Sequence, residues 1–185
     1  MKSCPRCRAT FGEEKIRFCP FDGTVLAGAA PDAPPPRQAP ADPYSQRILA
    51  ERYRVFERLA SGETGPIYAA QDLQSKVDVA VRFLPGEKIA EPEIRTRLER
   101  RLERARALEH PNLLRIFDHG PIDEGGLFVV MERLEGRSLR EAMRELGAFP
   151  PELALAILDQ MLGGLAELHR GGLVHGNLNP SNVFV

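Results

Sequence analysis

From about residue 47 onward, segments with the apolar spacing of strands are followed by segments with the apolar spacing of helices. The order of these segments constrains the fold more than any other feature of the sequence. The segments with the alternating or short apolar runs of strands are residues 53–59, 66–71, 77–84, 113–119 and 127–134. The segments with helical apolar spacing are residues 91–109, 138–146 and 152–170. Pro111 marks the end of the first helix, and Gly171 follows the last. Strands that precede helices in this order predict an α+β lobe followed by the start of a helical lobe.

Composition divides this chain of 185 residues into three zones. All three cysteines lie within residues 1–27, which we interpret as a small separate unit. Residues 28–46 are rich in Ala and Pro and contain almost no large apolar side chain. Such a segment buries too little surface to offset its ordering entropy, so we predict a semi-extended linker. The main domain is then expected to span residues 47–185.

The totals for the whole chain carry no signature of nucleic acid or of a membrane. The net charge of -1 gives no electrostatic argument for either surface. No apolar run approaches the roughly 20 residues that a membrane span requires. The basic residues at the start are not followed by the apolar segment of a signal peptide. We therefore expect a cytoplasmic protein with no membrane segment and no nucleic-acid partner.

Two Cys-Pro turns near the N-terminus carry four candidate metal ligands, which are Cys4, Cys7, Cys19 and Asp22. Zinc takes four tetrahedral ligands from sulfur, nitrogen or carboxylate oxygen, and clustered cysteines in a reducing compartment favour a metal over a disulfide. A unit with so few apolar residues would hardly fold without such a staple. The pattern resembles the short zinc ribbons of some bacterial proteins, which implies a structural zinc ion. A metal-free pair of turns, or a water or partner side chain in place of Asp22, remains the alternative.

Five short motifs follow one another along the main domain. They are A-S-G-E-T-G-P-I at residues 60–67, V-A-V-R at 79–82, H-P-N at 110–112, L-F-V-V-M-E-R-L-E-G at 127–136 and H-G-N-L-N-P-S-N at 175–182. In their order and spacing they resemble the bacterial branch of the eukaryotic-type Ser/Thr protein kinases over residues 53–185. The resemblance implies a small lobe of one antiparallel sheet and one helix, then the opening of a helical large lobe. It also implies ATP and Mg²⁺ as ligands and a protein as substrate.

The resemblance assigns nucleotide-binding roles to the residues Gly62, Gly65, Ala80, Arg82, Met131, Glu132, Leu134 and Asn182. Glycines let the backbone approach the phosphates, and the segment from Met131 would hold adenine at the hinge between the lobes. Asn182 stands at the metal-binding Asn of the family. Arg82 replaces the Lys that holds the phosphates. Because a guanidinium is bulkier and forked, phosphate contact by Arg82 and an alternative role, filling the nucleotide space or pairing with an acid, are both open.

The catalytic motif departs from the family pattern at the residues that carry the chemistry. Asn177 stands at the position of the general-base Asp, and a carboxamide takes no proton at physiological pH. Asn179 replaces the Lys that neutralises the transferred phosphoryl group, and Gly176 replaces an Arg. Counting back from His110 places Arg101, within the apolar arc of its helix, where the family has the Glu partner of the strand Lys. These departures together predict impaired phosphoryl transfer.

We therefore predict a pseudokinase-like module that binds ATP or a protein partner, with binding of ATP and Mg²⁺ left open. One alternative is a fragment of an active Ser/Thr protein kinase. The other is a zinc-dependent scaffold that binds no nucleotide. The sequence stops after the catalytic motif, which we interpret as a fragment, a truncated gene product or a remnant. On that interpretation, the helix at residues 152–170 exposes an apolar flank that favours a protein partner.

Overall fold

The structure is a computed structural model that describes residues 2–3, 5, 10–11, 42–62 and 64–185. The chain divides into two compact units, Met1–Asp42 and Pro43–Val185. In the first unit, strands β1 (Lys2–Ser3) and β2 (Thr10–Phe11) pair antiparallel. The predicted zinc ligands Cys4, Cys7, Cys19 and Asp22 lie outside the described residues.

The second unit is built on an antiparallel sheet of six strands. The strands are β3 (Ile48–Leu49), β4 (Tyr53–Gly62), β5 (Gly65–Asp72), β6 (Asp78–Leu84), β7 (Ile116–Pro121) and β8 (Leu127–Glu132). Their spatial order is β3-β4-β5-β6-β8-β7. Strands β4 and β5 run further than the sequence predicted, because Ser61 and Gly62 continue the ladder opposite Pro66 and Gly65. The last pair of this hairpin is Gly62 with Gly65.

Three α-helices accompany the sheet, and they are α1 (Pro92–Arg106), α2 (Leu139–Leu146) and α3 (Pro151–Arg170). Helix α1 ends before the predicted residue 109, since the amide of Ala107 turns back to the carbonyls of Arg104 and Ala105. Ser138 begins α2 with a capping box, in which its hydroxyl accepts from the amide of Glu141 at 3.2 Å. The α+β arrangement predicted from the sequence is confirmed. None of the helices that the structure describes has both the length and the apolar character needed to cross a membrane.

The sheet separates two sets of side chains with different roles. One face carries the main core, which contains Tyr53, Val55, Tyr68, Val81, Phe83 and Val130, each essentially inaccessible to solvent. Tyr44 packs against this core, with its ring stacked on Phe83 at 3.9 Å between centroids. The segment that the sequence assigned to the end of the linker therefore contributes to the packing of the second unit. The opposite face carries Ala80 and Arg82, because strand side chains alternate.

Helix α3 exposes part of its apolar surface in the described structure. Leu155 and Leu162 retain 66% and 62% of their accessible surface, and Leu153 and Leu158 are also exposed. The helix is held at its far side by Gly164, which is buried where a Cβ atom would meet the carbonyl oxygen of Asn112 at 2.8 Å. Close backbone approach at this glycine thus fixes α3 against the turn that follows α1.

Candidate functional site

The hairpin between β4 and β5 forms the glycine-containing loop predicted from the sequence. Gly65 has φ +134°, and a Cβ atom there would lie 1.9 Å from the carbonyl oxygen of Phe83, so this position accepts only glycine. Gly62 pairs directly with Gly65. The guanidinium of Arg58 braces the hairpin by donating to the hydroxyl of Tyr68 from both Nε, at 3.1 Å, and Nη2, at 3.0 Å. This brace was not predictable from the sequence, because it joins residues on two different strands.

Arg82 lies in the middle of β6, on the sheet face opposite the main core. Its cross-strand neighbours are Ile67 on β5 and Val129 on β8, so its stem lies between apolar side chains. Nε of Arg82 is buried, and no hydrogen-bond partner for it exists among the residues that the structure describes. Burial lowers the pKa of the guanidinium from its ordinary value. A buried donor without a partner is costly, so this nitrogen is the strongest indication of a ligand on this face.

Helix α1 supplies no carboxylate to Arg82. Glu99 pairs with Arg95 within the helix at 3.1 Å. Glu103 contacts Nε2 of His119 on β7 at 3.0 Å. Both acids are therefore engaged by other residues, Glu99 within α1 and Glu103 across to β7.

Arg101 is the residue that the sequence predicted at the position of the acidic partner. Its side chain is exposed, and Nη2 donates to the carbonyl oxygen of Val174 at 3.2 Å. The buried residue of α1 is its neighbour Leu102. Arg101 thus links α1 to the segment before the catalytic motif.

The end of β8 contains the predicted hinge residues. Met131 is buried opposite Ala80, so these two side chains share the sheet face of Arg82. The amide of Glu132 donates to the carbonyl oxygen of Arg115 at 2.9 Å, which fixes the strand end. Leu134 follows in an exposed segment and retains 40% of its accessible surface. The structure therefore brings Ala80, Arg82 and Met131 together on one face, beside the hinge.

The catalytic motif folds into a turn held by three carboxamides. Nδ2 of Asn179 donates to the backbone oxygen of Asn177 at 3.2 Å and to its Oδ1 at 3.1 Å. Nδ2 of Asn182 donates to the same backbone oxygen at 2.8 Å, and Oδ1 of Asn179 accepts from the amide of Ser181 at 2.9 Å. The side chain at the base position thus accepts a hydrogen bond from a neutral neighbour. In a loop with a carboxylate and a lysine at these places, the same contact would be charged.

The residues after this turn fasten the catalytic segment to α2. The backbones of Arg137 and Val185 exchange two hydrogen bonds, at 3.3 and 3.0 Å, and the amide of Leu139 donates to Val183 at 2.7 Å. Gly136 has φ +96°, and a Cβ atom there would lie 2.6 Å from the carbonyl oxygen of Val185. Glycine at position 136 is therefore required for this approach, a role that the sequence alone did not reveal.

The site residues fit a nucleotide better than they fit a metal ion. The half-buried guanidinium of Arg82 suits an anionic phosphate, and the backbone of the predicted hinge suits a planar base. Asn182 offers its amide oxygen as a single metal ligand. Among the described residues, no group of three or more His, Cys, Asp or Glu side chains is arranged to hold a metal. Magnesium would therefore need ligands from the phosphates themselves or from residues other than these.

The sequence of this chain is similar to those of known proteins. The family described as "Protein kinase domain" matches residues 53–185. The serine/threonine-protein kinase PknL of Mycobacterium tuberculosis is 34% identical over 144 residues, which is 78% of this chain and 36% of PknL. The serine/threonine-protein kinase pkn2 of Myxococcus xanthus is 35% identical over 138 residues, which is 75% of this chain and 16% of that protein.

Solved structures give the same result for the fold. The PknI kinase domain of Mycobacterium tuberculosis aligns with a TM-score of 0.70 and 30% identity, and the alignment covers 76% of this chain and 58% of that domain. The chain therefore spans less than two thirds of the length of these relatives. The family match over residues 53–185 includes strands β4 to β8 and helices α1 to α3.

Proposed function

Because the chain belongs to the protein kinase domain family over residues 53–185, we propose that this unit binds a nucleotide but is impaired in phosphoryl transfer. The observation that carries the proposal is the neutral turn at Asn177, in which the base position accepts a hydrogen bond from the carboxamide of Asn179. A general base contributes about 10²–10⁴ to a rate, and a carboxamide supplies none of it. The relatives of this chain carry the name serine/threonine-protein kinase, which makes a protein the substrate or partner class that we propose.

Nucleotide binding is supported by the residues on the second face of the sheet. Arg82 presents a charge without a described carboxylate partner, and Ala80 and Met131 lie beside it. Attraction of phosphate depends on this positive charge, whereas transfer depends on the base and on neutralisation of the moving phosphoryl group. The loss of the base and of the neutralising lysine therefore leaves the positive charge that attracts phosphate intact. The proposed protein is thus a binding or regulatory module rather than an efficient enzyme.

A chimera with PknL tests the impairment in a complete kinase context. Residues 53–185 of this chain replace the matched segment of PknL, which supplies all following residues. We expect phosphotransfer from Mg-ATP to a protein substrate to fall to background. Restoring the family residues with Arg82→Lys, Arg101→Glu, Asn177→Asp and Asn179→Lys is expected to recover activity, and Asn177→Asp alone to recover only part of it. An unreverted chimera that is as active as PknL refutes the proposed impairment.

The same proteins test nucleotide binding separately. Fluorescence of a nucleotide analogue, or the thermal shift of the native chain with ATP, is measured with and without Mg²⁺. We expect binding by the native chain and its loss with Arg82→Ala. A native chain without any response favours a scaffold that binds no nucleotide. Phosphotransfer by the native chain that disappears with Arg82→Ala instead favours an active kinase.

We also propose that Cys4, Cys7, Cys19 and Asp22 bind one structural zinc ion. The proposal is supported by the pairing of Lys2–Ser3 with Thr10–Phe11, because the residues between these strands include Cys4 and Cys7. Metal analysis of the native chain is expected to give one equivalent of zinc, and Cys4→Ser to abolish it. A chain purified without chelator that contains no zinc contradicts this proposal. Asp22→Ala tests whether Asp22 is the fourth zinc ligand. If this variant retains zinc, the fourth ligand is water or a side chain of a partner.

A further inference from the structure

The end of β4 that leads into the glycine-containing loop is supported along one edge. Strand β3 pairs with β4 at Tyr53 and Arg54, near the beginning of β4. Over residues 58–62, the strand that pairs with β4 in the described part of the chain is β5, and these residues are all exposed to solvent. A strand end with so little burial opens more readily than the core of a sheet. Its conformation therefore depends on contacts other than packing.

Arg58 lies at an irregular point of this ladder. It pairs with Tyr68, and the register shifts on both sides of this pair, between Val55 and Arg58 and again between Arg58 and Ala60. Irregularities of this kind bend a strand, increase its twist and interrupt the ladder. The backbone ladder thus holds residues 60–62 less firmly than a regular strand would hold them.

The side chain of Arg58 connects the two strands of the hairpin. Its Nε and Nη2 donate to the hydroxyl oxygen of Tyr68 at 3.1 and 3.0 Å, and its Nη1 donates to the hydroxyl oxygen of Ser61 at 3.4 Å. Tyr68 lies on β5, whereas Ser61 lies on β4 beside Gly62. Hydrogen bonds from a charged donor are stronger than those between neutral groups. One guanidinium therefore spans the irregular part of β4 and fastens its end to β5.

Tyr68 is a fixed anchor for this contact. Its ring is completely buried in the main core and packs edge-on against Phe83, at 5.3 Å between centroids, and against Tyr44, at 5.9 Å. Close packing of this kind holds a ring in one orientation. Arg58 itself is exposed, so its replacement is expected to leave the core intact. Arg58 therefore ties Ser61 to a fixed point of the core.

We propose that Arg58 is a positioning residue for the nucleotide phosphates. This role rests on the proposed function: the contact with Tyr68 and Ser61 holds the end of β4 in the conformation that accepts the phosphates. The backbone of Gly65 already lies against the carbonyl oxygen of Phe83, so the end of β4 is the half of the hairpin that needs support. A site that adopts its binding conformation for a fraction of the time loses affinity by that fraction. Binding of adenosine, which has no phosphate, is expected not to depend on this contact.

Calorimetric titration of the native chain and of Arg58→Met with ATP and with adenosine tests this role. We expect Arg58→Met to bind ATP about three- to tenfold more weakly, and to bind adenosine within about twofold of the native affinity. Arg54→Met is the matched control, since it removes an exposed charge from the same strand and is expected to change neither affinity by more than about twofold. Amide hydrogen exchange of the free proteins is measured in parallel, and we expect faster exchange of residues 60–62 in Arg58→Met.

Two further substitutions separate the contact from the charge of Arg58. Tyr68→Phe keeps the ring and the charge at position 58 but removes the acceptor, so it is expected to weaken ATP binding in the same way. Arg58→Lys keeps a charged donor and is expected to recover part of the loss. The double variant Arg58→Met with Tyr68→Phe is expected to lose no more than Arg58→Met, because both changes break the same contact. Direct attraction of phosphate by Arg58 would instead leave ATP binding by Tyr68→Phe unchanged.

The outcomes distinguish this role from the proposed function. If the native chain and Arg58→Met bind ATP equally well, the role of Arg58 is refuted and the proposed function stands. Equal weakening of ATP and adenosine also refutes the role, because it indicates a general loss of structure. So does unchanged ATP binding by Tyr68→Phe, or unchanged hydrogen exchange of residues 60–62 in Arg58→Met. A native chain that binds neither ligand refutes the proposed function and this role with it.

Discussion

Replacement of Arg82 by methionine is expected to stabilise the protein while it removes nucleotide binding. Nε of Arg82 is buried without a partner in the described structure, and such a donor costs about 1–3 kcal/mol. Methionine keeps an unbranched stem between Ile67 and Val129 and has no donor. Because Arg82 is only half-buried, we place the gain at the lower end, at about 1–2 kcal/mol. A domain of this size then melts several degrees higher.

The assay is thermal unfolding of the native chain and the variant, each with and without ATP. Arg54→Met on β4 is the matched control, because Arg54 is exposed and its loss is expected to change stability by less than about 0.5 kcal/mol. Arg82→Met is therefore expected to show a higher melting temperature than the native chain without ligand, and no further rise with ATP.

A lower melting temperature for Arg82→Met refutes this reasoning. It would mean that the guanidinium forms a stabilising contact in the folded chain, for example with a carboxylate outside the described residues. An unchanged response to ATP would separately remove Arg82 from the nucleotide site. A rise in stability combined with retained ATP binding is also excluded, since the unpaired charge is the basis of both effects.

Three further predictions concern stability and use urea or thermal unfolding. The hydrogen bonds from Arg52 to Asp72, at 2.7 and 2.9 Å, hold the pKa of this carboxyl below its usual range, so they stabilise the folded state above about pH 4 and are lost as the pH falls further. Asp72→Asn is therefore expected to lower the melting temperature at pH 7, and the difference from the native chain should shrink below about pH 4. A difference that does not change with pH contradicts this prediction. Gly65→Ala is expected to lower the free energy of unfolding by more than about 3 kcal/mol, because its Cβ atom would clash with the backbone. The control is Gly125→Ala, where φ is also positive but nothing lies within 4 Å, and here we expect a loss of about 1–2 kcal/mol. Equal losses of stability in the two variants would show that the clash at position 65 relaxes. Tyr44→Ala is expected to cost about 1–3 kcal/mol through its lost aromatic stack, and no loss would return residue 44 to the linker.

The sequence predicted the existence and type of the main elements because their apolar spacing is regular. The five strands and three helices predicted for the second unit all appear in the predicted order, whereas the two-residue strand β3 was not predicted. Helix α3 begins at Pro151 and ends at Arg170, close to its predicted bounds. Element ends were less predictable, since they depend on pairing with another strand. Ser61 and Gly62 look like turn residues, yet they extend β4 because Pro66 and Gly65 stand opposite them.

The site could be predicted only where a single residue carries its own chemistry. The carboxamide at position 177 and the guanidinium at position 82 can be identified from the sequence, and the family motifs around them predict where they lie in the fold. Contacts between residues far apart in the sequence could not be predicted. The unpaired state of Nε in Arg82 depends on how β6 packs against its neighbours, and the contact of Glu103 with His119 depends on how α1 packs against β7. The metal ligands proposed near the N-terminus stay a prediction from spacing alone.

The changes at positions 82 and 177 act on different steps, and this difference explains why binding would outlast catalysis. Arg82 keeps a positive charge on the sheet face where we propose that the nucleotide binds, although we expect the folded chain to be more stable with an apolar residue there. An unpaired buried charge is costly unless an anion offsets it when bound. Asn177 stabilises the turn through its neutral contacts while it removes the proton acceptor. A site that bears a binding cost and lacks the base is suited to hold a phosphate, not to transfer one.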